Sequence, residues 1–147
     1  MPKFRLQTAL TVRERIEKLK QKALAEQLQV VQGIRSQMDS LNTAIANSNS
    51  TVNQAKSHGF TIAQLQMHER YNQRTKKEIQ VLVQRLKEQE SVTNRRQKEL
   101  TQATQKRRVL EILKEKDAQR LKEEIDRQER AQMDEVSLNQ YLRHQEQ

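Results

Sequence analysis

The sequence predicts an all-α fold: a long antiparallel two-helix coiled coil, or α-hairpin, whose second helix is longer than the first. Only 33% of the 147 residues are hydrophobic, which suits a narrow seam burying about two positions in seven better than a layered core. Two glycines and one proline leave little material for turns. Apolar residues recur at helical steps of three and four. The predicted bounds are 3–57 for the first helix, 58–61 for the turn and 62–143 for the second helix, within one domain over 1–147.

The first helix is predicted from a heptad seam of apolar residues. Its members are Ala9, Val12, Ile16, Leu19, Ala23, Leu24, Leu28, Val31, Ile34, Met38, Leu41, Ile45, Val52 and Ala55. The register shifts slightly near Ala23 and Val31, and Gly33 lies beside the second shift. Such shifts weaken a coiled coil locally without ending it.

The turn is predicted where the apolar pattern breaks. Gly59 can adopt the left-handed conformation that closes a helix. Thr61 and Gln64 have the spacing of a capping box, which begins the next helix. Phe60 precedes that cap and Leu65 follows it, so these two side chains can form a hydrophobic staple. The chain is therefore expected to fold back on itself here.

The second helix is predicted as one uninterrupted element, because no glycine or proline follows Gly59. Its apolar seam comprises Leu65, Ile79, Leu82, Leu86, Leu100, Ala103, Leu110, Leu113, Leu121, Ile125 and Val136. Gln89, Thr93, Arg96 and Arg107 also occupy seam positions. Polar groups there lower stability but can set register and orientation.

The short turn makes the two helices antiparallel neighbours, so residue i of the first helix should face about residue 119 minus i of the second. By this register, about 30 residues after Glu115 have no partner, a length of about 45 Å at the helical rise per residue. An unpaired amphipathic helix is marginally stable. We expect this segment to become ordered on a partner.

The sequence lacks the residue patterns of catalytic and cofactor-binding sites. There is no cysteine, and His58, His68 and His144 are too scattered for a metal cluster. Gly33 and Gly59 stand alone, so no glycine-rich phosphate loop exists. We therefore predict no enzymatic activity, no metal site and no cofactor.

No apolar run approaches the roughly 18 residues of a membrane span. The first residues are not followed by an apolar secretory segment. We expect a soluble protein of the cytoplasm.

The formal net charge of +9 indicates an acidic partner. Basic clusters at Arg95–Arg96, Lys98 and Lys106–Arg108 raise the possibility of nucleic-acid binding. Acidic residues interrupt these clusters, and the aromatic residues lie too far apart to form a stacking platform for bases. A solvated coiled-coil face explains most of the charges, so nucleic acid is not the expected partner.

Two groups of residues are open to two interpretations each. Phe4, Leu6 and Leu10 near the start either complete the seam or form an apolar and basic tip that enters a cavity in a partner. Met67 and Tyr71, just after the turn, either pack on the first helix or form an exposed docking patch, since exposed tyrosines often anchor interfaces.

The opening run Lys3–Glu14, a turn containing Gly59, the run Leu110–Lys116 and the late Met133–Glu135 together resemble the bacterial flagellar export protein family FliJ. The resemblance covers nearly the whole chain and the order of its elements. It implies an antiparallel coiled coil similar to the central shaft of rotary ATPases, such as the γ subunit of ATP synthase. It also implies peripheral association with the cytoplasmic face of the cell membrane, through the export apparatus.

The resemblance implies three partners. The paired termini would enter the hexameric flagellar type III export ATPase and promote its assembly, the side of the coil would contact the transmembrane export gate, and the protein would bind export chaperones. The implied ATPase-binding residues are Phe4, Leu6, Leu10, Arg13, Arg107, Leu110, Leu113, Lys114 and Arg120. The implied gate-binding or chaperone-binding residues are Met67, Tyr71, Thr75 and Glu78.

Two other functions are compatible with the same pattern. One is the homologous stalk of an injectisome type III secretion system, which shares the coiled coil but serves another machine. The other is a basic nucleic-acid-binding coiled coil, whose affinity would fall steeply with salt.

Overall fold

The computed structural model describes residues 4–146. It contains two helices, α1 over Gln7–Ala55, with 49 residues, and α2 over Ile62–Gln145, with 84 residues. No strand occurs between residues 4 and 146. The helices pack against each other, so the predicted α-hairpin with a longer second helix is confirmed.

The bounds of α1 differ slightly from the predicted ones. Phe4 precedes the helix in a tight turn, in which the Gln7 amide donates to the Phe4 carbonyl at 3.0 Å. The predicted helical start at residue 3 lies outside the described residues. At the other end α1 stops at Ala55, followed by a turn in which the His58 amide donates to the Ala55 carbonyl at 3.1 Å.

The connection between the helices has the predicted chemistry. Gly59 has a φ of 87°, in the left-handed region. The Gln64 amide donates to Thr61 Oγ1 at 3.2 Å, and the Thr61 amide donates to Gln64 Oε1 at 3.2 Å. This reciprocal pair is a capping box and satisfies two amides at the start of α2. The Phe60 ring lies 5.7 Å from the His68 ring, whereas the predicted staple partner Leu65 is exposed.

The two glycines provide a matched test of the turn. We expect Gly59→Ala to lower the free energy of unfolding by about 1–2 kcal/mol, because an L residue is strained at positive φ. Gly33 lies inside α1, and a Cβ there would meet no atom within 4 Å. Gly33→Ala should therefore raise stability by about 1 kcal/mol through helix propensity. Urea denaturation of both variants measures the difference, and a stabilising Gly59→Ala would contradict the turn.

The described chain forms two compact units, and both helices contribute to each. Unit 1 contains the described residues up to Glu17 and from Gln102 onward, and unit 2 contains Lys18–Thr101. The buried apolar residues are Leu10 and Ala103 in unit 1 and Val31 and Ile34 in unit 2. Such a small set is what a two-helix seam can bury.

Polar pairs across the seam set the register of unit 2. Gln27 Nε2 donates to the Gln89 carbonyl at 3.0 Å and to Gln89 Oε1 at 2.9 Å. Ser48 Oγ and His68 Nδ1 form a hydrogen bond of 3.0 Å. Lys20 Nζ lies 3.3 Å from Glu99 Oε2, which is the predicted pairing for residue 20. Gln27 and Ser48 are buried and need partners, so slipping the helices would leave their polar groups unsatisfied.

Several predicted seam positions of α1 are wrong. Leu19 is 66% exposed, and Val12 and Leu28 are also exposed. The neighbouring Gln27 is buried instead, at 6% exposure, and Lys20 is partly buried. Both residues have polar partners on α2. Because these partners satisfy their polar groups, Gln27 and Lys20 can lie in the seam, and the adjacent leucines remain exposed to solvent.

Candidate functional site

An ion-pair network centred on Arg107 connects α1 and α2 in unit 1. Arg107 Nε donates to Glu17 Oε2 at 2.5 Å, and its Nη1 donates to Glu111. Arg108 Nη1 lies 3.1 Å from Glu111 Oε1 and 3.6 Å from Glu115 Oε1. The hydrogen bond to Glu17, followed by the negative charges of Glu17 and Glu111, raises the pKa of Arg107 above its ordinary value. The guanidinium is therefore always charged and already engaged on two sides.

The residues predicted to bind an ATPase all lie in unit 1, but they differ in accessibility. Leu10 is only 3% exposed, so its side chain supports the surface from within and is not available to a partner in the folded state. The partly buried members are Phe4, Arg13, Arg107 and Leu110. The exposed members are Leu6, Leu113, Lys114 and Arg120.

The α2 part of unit 1 exposes further aliphatic side chains. Val109, Ile112, Leu121 and Ile125 are exposed together with Leu113. No residue from Ile112 to Glu146 is buried. The prediction missed Val109 and Ile112 as surface residues because they lie off the heptad seam, where a polar residue is expected. Exposed aliphatic side chains in this number are typical of a protein-binding site.

A groove between the two helices of unit 2 is the second candidate surface. We call it the Tyr71 groove, and it has a volume of about 820 Å³. It is lined by Ala44, Asn47, Ser48, Thr51, Gln64, Met67, His68, Tyr71 and Arg74. Met67 and Tyr71 are exposed, so the docking-patch interpretation fits them better than packing on α1.

The other two residues predicted for the gate or chaperones are placed differently. Thr75 is only 4% exposed, and its hydroxyl donates to the Tyr71 carbonyl at 2.8 Å. Its side chain is therefore removed from the outer surface, because the residue occupies a seam position. Glu78 lies in a neighbouring groove of about 600 Å³, with Leu41, Val81 and Leu82 among its lining residues.

Within residues 4–146, no group of histidine, aspartate and glutamate side chains is arranged to hold a metal ion. The helices of this region also lack a stretch long and apolar enough to cross a membrane. Each of the two candidate surfaces combines exposed aliphatic or aromatic groups with charged ones. Such surfaces are suited to binding other macromolecules.

Comparison with known proteins gives one family. Residues 2–146 match the family model described as "Flagellar FliJ protein". No curated protein matches the chain, and no solved structure does.

Proposed function

The chain belongs to the FliJ family and is a component of flagellar protein export; from this premise we propose that it acts as a coiled-coil stalk of the export ATPase. In this proposal it inserts into the hexameric ATPase ring, promotes ring assembly and hydrolysis, and links the ring to the transmembrane export gate and to export chaperones. It works by binding, without catalysis of its own, at the cytoplasmic face of the cell membrane.

The exposed aliphatic surface of unit 1 carries the proposal. Leu6, in the turn before α1, and Leu113, on α2, are exposed. Lys114 and Arg120 add positive charge on α2. A stalk inside a ring of six similar subunits needs contacts that can form with any of the six. Aliphatic groups and long cationic side chains meet that need because neither requires one fixed geometry. Contacts that differ between the conformations of the ATPase subunits would then bias those conformations.

The Tyr71 groove is the proposed contact for the gate or the chaperones. Tyr71 offers a large apolar ring with a hydroxyl at its end, a combination that often anchors interfaces. Met67 adds a flexible apolar group beside it, which adapts to partners of different shape. Glu78, in the neighbouring groove, extends the proposed surface along α2.

Stimulation of the cognate flagellar export ATPase tests the proposal. We expect the unaltered protein to increase hydrolysis and ring formation. Leu113→Glu should raise the concentration needed for half-maximal stimulation about fivefold, because it places a carboxylate at an apolar contact. Leu113 is 40% exposed, so the change should leave the fold intact.

Leu19→Glu is the matched control for this experiment. Leu19 is also an exposed leucine on a helix, but it lies in unit 2. The Leu19→Glu variant should stimulate the ATPase as well as the unaltered protein does. Absence of any stimulation by the unaltered protein would contradict the proposal. Equal losses of stimulation in the two variants would contradict it too. Helix content, measured by circular dichroism, shows that neither result comes from unfolding.

A further inference from the structure

A line of cations runs along one face of α2 in unit 2. We call it the basic stripe. It contains four cations and two apolar residues, separated by steps of three and four residues. They are Met67, Arg70, Arg74, Lys77, Val81 and Arg85. Such steps place successive side chains on the same helical face. At the rise of an α-helix the stripe is about 27 Å long.

All six side chains of the basic stripe are exposed. Within residues 4–146, none of its four cations lies within salt-bridge distance of a carboxylate, and the same holds for most cations of this region. Like charges three or four residues apart on a helix repel one another. The stripe is therefore a predominantly positive surface, bordered by the exposed carboxylates of Glu78 and Glu88. An anionic partner would relieve the repulsion among its cations.

We propose that the basic stripe binds the surface of an anionic phospholipid bilayer. A straight helix face presents its cations along one line, so a flat surface can contact all four at once. Lysine and arginine near an anionic leaflet each add to the attraction. Met67 and Val81 lie in the same line and are exposed, so their apolar groups can enter the headgroup region.

The residues of the stripe favour a bilayer over nucleic acid. Tyr71 is exposed beside the stripe, but one ring does not supply the series of aromatic side chains on which successive bases stack. The two apolar members of the stripe would gain nothing beside a phosphate backbone but would be buried among lipid headgroups. The stripe lies in unit 2, apart from the residues proposed to enter the ATPase ring. It shares Met67 and Arg74 with the Tyr71 groove.

Vesicle sedimentation with the full-length chain tests the proposal. Vesicles of phosphatidylcholine alone are compared with vesicles that also contain phosphatidylglycerol, at about 0.1 M salt. The protein should bind only the second kind. The double variant Arg70→Gln, Lys77→Gln should lower the partition coefficient about tenfold. Both positions lie outside the residues proposed to contact the ATPase, the gate or the chaperones.

The double variant Lys18→Gln, Lys22→Gln is the matched control, because it removes two exposed cations from α1 of the same unit. It should retain most of the binding. If the two double variants lose vesicle binding equally, binding depends only on the net charge of the protein, and the assignment to the stripe is overturned. Failure to bind phosphatidylglycerol vesicles would overturn it too.

Two further measurements separate this inference from its competitors. A short RNA or DNA duplex should not displace the protein from the vesicles at equal phosphate concentration; displacement would identify nucleic acid as the ligand and overturn the lipid assignment. The Arg70→Gln, Lys77→Gln variant should stimulate the export ATPase normally in the absence of lipid. Loss of lipid binding by this variant, with normal stimulation, supports the stripe. Normal lipid binding by the unaltered protein, without stimulation of the ATPase, contradicts only the proposed stalk function.

Discussion

Replacing Ile34 with alanine is expected to lower the free energy of unfolding by about 3 kcal/mol. Ile34 is 3% exposed and is one of the few buried apolar side chains of unit 2. Removing its methyl and methylene groups forfeits their burial and opens a cavity in a seam with little material to fill it. Urea denaturation followed by circular dichroism measures the loss as a lower midpoint.

Val30→Ala is the control for this experiment, since Val30 is an exposed β-branched residue on the same helix. Its effect should stay within about 0.5 kcal/mol. If both variants unfold at the same urea concentration, Ile34 does not lie in the seam as described. The comparison also separates burial from helix propensity, because alanine improves propensity in both variants.

Leu10→Ala should open the first turns of α1 while unit 2 stays folded. Leu10 is the buried leucine of unit 1, and its removal should cost about 2–3 kcal/mol. The ion pair between Glu17 and Arg107 also connects this short α1 segment to α2. We therefore expect amide hydrogen exchange to accelerate over residues 7–17 and to remain slow around Val31 and Ile34.

Two other substitutions define what Leu10 does. Val12→Ala removes an exposed side chain from the same segment and should leave exchange unchanged. Leu10→Met keeps the volume and should restore most of the protection. In the ATPase assay, Leu10→Ala should lose stimulation because its segment opens, and Leu10→Met should recover it. If a substitution at residue 10 changes ATPase stimulation without changing amide hydrogen exchange over residues 7–17, residue 10 instead contacts the ring directly.

The local chemistry of the turn could be predicted from neighbouring residues. Gly59 was expected in the left-handed region, and Thr61 with Gln64 was expected as a capping box; both are observed. These interactions join residues at most three positions apart, so short-range sequence contains all the necessary information. The pairing of Lys20 with Glu99 followed in turn, because a defined turn and two regular helices set the register.

Which side chains of α1 face the seam could be predicted less well. Apolar and polar residues compete for adjacent positions, as with Gln27 and Leu28, and periodicity alone favours the leucine. Gln27 is inside because Gln89 on α2 satisfies its amide. The same limit affected the candidate sites, since Leu10 and Thr75 were predicted as contact residues and both are buried.

The sequence by itself determined that this chain forms two helices, where it turns and how the helices are aligned, because helix propensity, capping and periodicity act over a few residues. The tertiary structure decided which side chains face the seam and which remain available to partners. Burial of a polar side chain depends on a group more than 60 positions away along the chain, as the hydrogen bond from Gln27 to Gln89 shows. Such a pairing acquires its energy only when the second helix is in place.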